Sequence, residues 1–141
     1  MEVRPPRDAG ELREALVLRE RVFCGEQGVS PGAERDGRDG EALHLIARDG
    51  DGVIGTCRLV FRGGVAHLGR LAVMAEHRRR GVGAAILREA ADRARELGAE
   101  IISLHAQMDV RDLYVADGYA ERGDPFVEEG IKHVTMEKAL A

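Results

Sequence analysis

With 141 residues, 44% hydrophobic content and a formal net charge of −4, the chain has the size and apolar content of one globular domain covering 1–141. That balance excludes a disordered chain and argues against nucleic acid as a partner. Its two cysteines, Cys24 and Cys57, lie far apart, which excludes a disulfide framework or a zinc site and fits a reduced, cytoplasmic protein that holds no metal.

The first residues, "MEVRPP", suit a short edge strand ended by its prolines. No apolar h-region follows, and no later run is long enough to span a bilayer, so neither a signal peptide nor a membrane partner is expected. Asp8, three residues before Glu11, is placed to cap a helix. Leu12, Ala15, Leu16, Arg19, Val22 and Phe23 then recur at helical spacing, so the helix is expected to end at Phe23. Residues 25–41 form a long acidic, glycine-rich loop with room for one helical turn, and loops of this length are often functional.

Three β-like runs follow from Ala42 to Met74, with turns at Asp49–Gly52 and Gly63-Gly64, and predict an antiparallel meander. From Ala84 the spacing of Ala84, Leu87, Ala90, Ala91, Ala94 and Leu97 predicts the buried stripe of a second long helix. Glu89 and Arg93 lie four apart on it, and Gly98 ends it. "EIISLHA" reads as a buried strand parallel to a neighbour. "DVRDLYVADGY" reads as a short helix stopped at Gly118, and the chain closes with two strands that turn near Glu128–Gly130. A meander feeding a βαβ unit predicts an α/β (α+β) domain: a mixed, mostly antiparallel sheet flanked by helices.

The stretch "HRRRGVGA" sits between the third meander strand and the second long helix. Free amides and the dipole at a helix start favour an anion. Glycine at 81 and 83 lets backbone approach closely, and arginines add charge-assisted bonds to phosphate oxygens. The stretch has neither the Lys-Ser/Thr ending of a nucleotide P-loop nor the three-glycine dinucleotide fingerprint. By itself it also reads as a solvated basic helix start.

"Arg78-x-x-Gly81-x-Gly83" after "LGRLAV" resembles the coenzyme A pyrophosphate loop of the GNAT N-acetyltransferase superfamily, and "LYVADGY" (Leu113 to Tyr119) is similar to its second signature. "LRERVFCGEQGV", "ERDGRD" and "GDPFVEEGIKHVTM" resemble the ElaA-like branch, and the likeness covers nearly the whole chain. It implies acetyl-CoA as co-substrate, held by Leu71, Ala72 and Val73 along the strand and by Arg78, Arg79, Gly81, Val82, Gly83 and Ala84 at the helix start. Many such loops carry glycine where this chain has Arg79. The resemblance implies a small-molecule or peptide amine that attacks the acetyl carbonyl directly in a ternary complex, with Tyr114 as general acid toward the departing thiolate. It leaves room for a homodimer.

The strand acid that many members carry is missing from "HLGRLAV". Candidates on the substrate side are Glu26, Glu34, His44 and His133, with His67 and His105 as further histidines. His67 is expected to share strand parity with Gly69, Leu71 and Val73. The acids of the long loop, Glu34, Asp36 and Asp39 among them, would either steer an ammonium group or simply be solvated. A catalytically silent acetyl-CoA sensor is the alternative function.

Overall fold

Asp8 caps the first helix as its spacing requires: its carboxylate accepts the Glu11 N–H at 2.8 Å. Glu11 in turn reaches one residue behind the cap, accepting the Arg7 N–H at 2.8 Å and two bonds from Arg4 at 2.7 and 2.8 Å. This ties helix α1 (Ala9–Arg19) to the edge strand β1 (Glu2–Arg4). A computed structural model describes residues 1–50 and 52–140, so residue 51 of the expected Asp49–Gly52 turn lies outside the described residues.

The helix does not stop at Phe23. It runs on as a π-helical segment, Glu20–Glu26, closed by Gln27 N–H on Val22 O at 3.1 Å. One turn, α2 (Pro31–Glu34), interrupts the loop that follows and is capped by Ser30. The meander is β2 (Leu43–Asp49), β3 (Gly52–Arg62) and β4 (Val65–Val73). Gly63 and Gly64 both adopt positive φ, 55° and 82°, as a tight hairpin turn requires. Next come α3 (Val82–Glu96), β5 (Ile101–Gln107), α4 (Arg111–Ala116), β6 (Ala120–Glu128) and β7 (Ile131–Ala139).

These strands make one seven-stranded sheet in the order β1-β2-β3-β4-β5-β7-β6. Every neighbouring pair is antiparallel except β4 with β5. On one face Ala15 and Leu18 of α1 and Val22 of the π-helical segment pack against Ile46, Val53 and Ala72. On the other face Val82, Ile86, Leu87, Ala90 and Ala94 of α3, with Tyr114 of α4, cover Leu45, Ile54, Cys57, Leu59 and Ile102. The spacing-based stripe of α3 holds at Leu87, Ala90, Ala91 and Ala94, but Ala84 is only half-buried, Val82 and Ile86 take the first-turn core positions, and Leu97 is 63% exposed because the chain leaves the helix there and turns through Gly98 at φ 87°. Glu89 and Arg93 pair at 2.8 Å. Among the described residues no helix is long and apolar enough to cross a membrane, and no cluster of metal-ligating side chains occurs.

Two irregularities shape the sheet. The parallel strands β4 and β5 pair only over Val65–His67 with Ile101–Ser103; beyond that β4 runs on to Val73 and β5 to Gln107 without pairing to each other. In β4, the two residues Arg70 and Leu71 lie between pairs Arg58↔Gly69 and Thr56↔Ala72, where β3 has only Cys57. This bulge reverses the strand's parity. Gly69 and Ala72 therefore share a face. Ala72 packs beneath α1, while Leu71 and Val73 pack toward the α3 side, and the common parity expected for His67, Leu71 and Val73 does not occur.

Candidate active site

The split between β4 and β5 opens toward one end of the sheet, and the residues expected to hold the cofactor follow one another along β4 and into the start of α3. The first wall is β4 from the bulge onward, Leu71 to Val73. The chain then passes through a 3-10 turn, Ala75–His77, and reaches the start of α3. Arg79 takes φ 62° and Gly81 takes φ 82°. Arginine thus occupies a left-handed position that glycine favours, which explains why glycine would be at home at 79. Ala85 N–H bonds to Gly81 O at 3.0 Å, so the amides of Val82, Gly83 and Ala84 precede the first helical bond and have no carbonyl one turn back. A Cβ on Gly83 would touch the Leu113 side chain at 3.5 Å, so the start of α4 rests against the first turn of α3.

The three arginines differ. Arg78 turns back: its Nε–H donates to Val73 O at 3.0 Å and its Nη2 to Glu26 Oε1 at 2.7 Å. It fastens the loop to the end of β4 and to the π-helical segment. Among the described residues neither Arg79 nor Arg80 has an ion-pair partner, and both are exposed. Glu26 reaches Arg78 only because the helix continues past Phe23 in π geometry, a form often found at functional sites. Its neighbour Gln27 accepts from Gln107 Nε2 at 2.8 Å, which links that segment to the open end of β5. The spacing argument ended the helix too early to bring out Gln27.

Tyr114 sits on α4 with its ring edge-on to Tyr119, centroids 5.9 Å apart. Burial, with a smaller contribution from Cys57, pushes its pKa up to about 12, so the phenol keeps its proton through neutral pH. The Tyr119 hydroxyl is buried and has no hydrogen-bond partner among the described residues.

The substrate-side candidates fall into separate places. His133, on β7 opposite Gln107, is 7% exposed and stacks on Phe126. Its Nδ1–H donates to Ile131 O at 2.7 Å, which leaves Nε2 of the neutral ring with a lone pair. Glu34 is 1% exposed and engaged by the equally buried Arg19 at 2.8 Å. Asp39 pairs with Arg19 and Arg58, and Asp36 with Arg58 and Arg70. His44 joins this group from β2, its Nε2–H donating to Asp39 O at 3.0 Å. Hence Glu34, Asp36 and Asp39 are neither a solvated acidic run nor an unpaired steering surface. Hydrogen bonding from Arg58 holds the Asp36 carboxyl well below the usual range. Burial opposes the same shift at Asp39, but Arg19 and Arg58 outweigh it. His105 pairs with Glu128 at 3.0 Å, and His67 is exposed on β4 with its pKa lowered by desolvation.

Comparison with known proteins agrees with this geometry. The family profile described as acetyltransferase (GNAT) domain matches residues 13–140. The uncharacterised N-acetyltransferase YjcF of Bacillus subtilis (strain 168) is 33% identical over 129 residues, covering 91% of this chain and 92% of its own. Escherichia coli ElaA shares the fold at a TM-score of 0.86 and 22% identity, over 97% of this chain and 98% of that one. An aminoglycoside 6'-N-acetyltransferase, crystallised with coenzyme A, shares the fold at a TM-score of 0.80 and 14% identity, over 100% and 98%. With its profile matched from α1 to the end of β7 and its sheet split beside a glycine-led helix start, the chain belongs to the GNAT family of N-acetyltransferases.

Proposed function

We propose that this N-acetyltransferase moves the acetyl group of acetyl-CoA to a primary amine by direct attack in a ternary complex. The observation that carries the reading is the edge of β4 that β5 leaves unpaired, leading through the Ala75–His77 turn to the first amides of α3. These residues fit the nucleotide thioester: Val82, Gly83 and Ala84 amides, with Arg79 and Arg80, suit its pyrophosphate, and the edge Leu71–Val73 suits the amide-bearing arm. Arg78 serves the same site by bracing the loop through Val73 O and Glu26.

When bound, acetyl-CoA supplies an activated acyl group, so the chain's own work is placement and proton handling. Backbone N–H groups of β4 beyond the bulge favour charge developing on the acyl oxygen. Tyr114, kept protonated by burial, delivers a proton to the leaving sulfur. On the acceptor side, His133 offers the Nε2 lone pair to the ammonium proton. Glu26 adds carboxylate character near the open end, while Glu34 and His44 act as support beneath it. The acceptor is a small-molecule or peptide amine.

Calorimetric titration of the purified chain with acetyl-CoA tests this. The wild type should bind with defined stoichiometry, and Gly81→Val, which forces a β-branched residue to φ 82°, should lose at least about tenfold in affinity. A panel of primary amines, read as released thiol, then finds the acceptor. Failure of the wild type to bind acetyl-CoA would overturn the proposal.

A further inference from the structure

Six charged side chains close into a ring on the α1 face of the sheet, alternating in sign. Arg19 of α1 bonds Glu34 through Nε at 2.9 Å and Asp39 through Nη1 at 2.8 Å. Arg58 of β3 bonds Asp39 at 3.0 Å and grips Asp36 with both terminal nitrogens. Arg70 of β4 closes the circuit, lying 3.3 Å from both Glu34 Oε2 and Asp36 Oδ2. The charges balance, three against three, and Arg19 and Glu34 are sealed from solvent.

The ring does more than staple the loop. Without Arg70, the other five members would still form an unbroken chain from Glu34 through Arg19, Asp39 and Arg58 to Asp36, holding α1, the loop and β3 together. What Arg70 adds is a grip on the β4 bulge. Its own backbone sits at φ 54°, a conformation that L-residues hold only when their surroundings over-determine it. The surroundings do so here: beside the two carboxylates, its guanidinium donates to Ala33 O at 3.0 Å and to Glu34 O at 3.2 Å. The next residue, Leu71, opens the strand edge assigned above to the acyl end of the ligand.

Resting on the acetyltransferase reading, we infer that Arg70 is a positioning residue: the ring locks the β4 bulge, and the bulge aims the backbone N–H groups that distinguish an acetyl thioester from the free thiol. It touches no reacting atom and acts through the backbone it pins.

The test compares calorimetric affinities for acetyl-CoA and for CoA in four proteins: wild type, Arg70→Met, Arg70→Lys and Asp39→Asn. Wild type should prefer acetyl-CoA. Arg70→Met should lose about fivefold to tenfold of that preference, the weight of one hydrogen bond, while its affinity for CoA stays within about twofold. Arg70→Lys, which restores a cation between Glu34 and Asp36, should recover part of the preference. Asp39→Asn weakens the ring away from the bulge, so it should lower the melting temperature and leave the preference intact. Should Arg70→Met fail to fold, Asp36→Asn, which neutralises one carboxylate on Arg70, takes its place with the same expectation. An unchanged preference in Arg70→Met, or an equal loss in Asp39→Asn, would reduce the ring to a staple and overturn the inference. Equal binding of both ligands by the wild type would overturn it too. Binding of neither would instead sink the acetyltransferase reading, and this inference with it.

Discussion

Tyr114 and Glu34 are both buried, but a neutral phenol needs no counter-charge and a buried carboxylate does. For the phenol, loss of solvent raises the pKa to about 12 and so preserves the proton it is proposed to give. Tyr114→Phe should lower kcat by about a hundredfold or more while leaving acetyl-CoA affinity unchanged, a split that turnover and calorimetry together would show. No alkaline loss of rate from this group is expected below about pH 10, the ordinary tyrosine range. For the carboxylate, burial is tolerable because Arg19, Arg70 and Arg35 meet it. Glu34→Gln strips the charge that Arg19 faces and should cost about 3–5 kcal/mol in urea denaturation. The sequence carried a sign of this group. Arg19 recurs at the helical spacing of the apolar residues Ala15 and Val22, and Arg58 interrupts the apolar run of β3. A charge on an inward stripe implies a buried partner. Which partner it is depends on how a distant loop folds back, and spacing is blind to that.

At the scale of elements, sequence pattern found nearly every helix and strand, because amphipathic spacing and glycine turns are local properties. It missed where local geometry departs from the ideal. The π segment after Arg19 has no spacing signature over so few residues, so Glu26 and Gln27 fell in a presumed loop. The bulge at Arg70–Leu71 follows from pairing with β3, and the parity assigned to His67, Leu71 and Val73 failed there for that reason. The contact of β3 with α3 is equally non-local. A Cβ on Gly55 would lie 2.8 Å from Ile86 Cδ1 and 3.0 Å from Val82 Cγ1. Gly55→Ala should therefore push the first turn of α3 outward. We expect a loss of about 1–3 kcal/mol on thermal or denaturant unfolding, with weaker acetyl-CoA binding from the displaced amides.

Over the whole molecule, charge is arranged more tightly than a net of −4 suggests. The carboxyls of Asp36 and Asp39 are held low by their arginines, and Arg4 with the Arg7 amide holds Glu11 at about 2. A carboxyl whose folded pKa is depressed contributes stability above its unfolded value, about 3.9 to 4.3, and loses it as pH falls toward the folded one. Stability should thus slip as pH falls through about 6.5, where desolvated His67 resists the proton it takes up when unfolded, and then decline steeply below about pH 4; circular dichroism melts across that range would show it. Asp36→Asn should flatten the decline.

The unfinished pairing of β4 and β5 has a consequence for amide exchange. Backbone N–H groups of an extended strand point alternately to its two neighbours. Between Leu68 and Val73, those facing β3 should exchange slowly with solvent, and those facing the gap quickly. An occupant of the gap would slow only the second set, every other residue along the strand. At Arg70–Leu71 the bulge should shift that alternation by one position, so the protection pattern of a liganded protein would mark the bulge in solution, residue by residue.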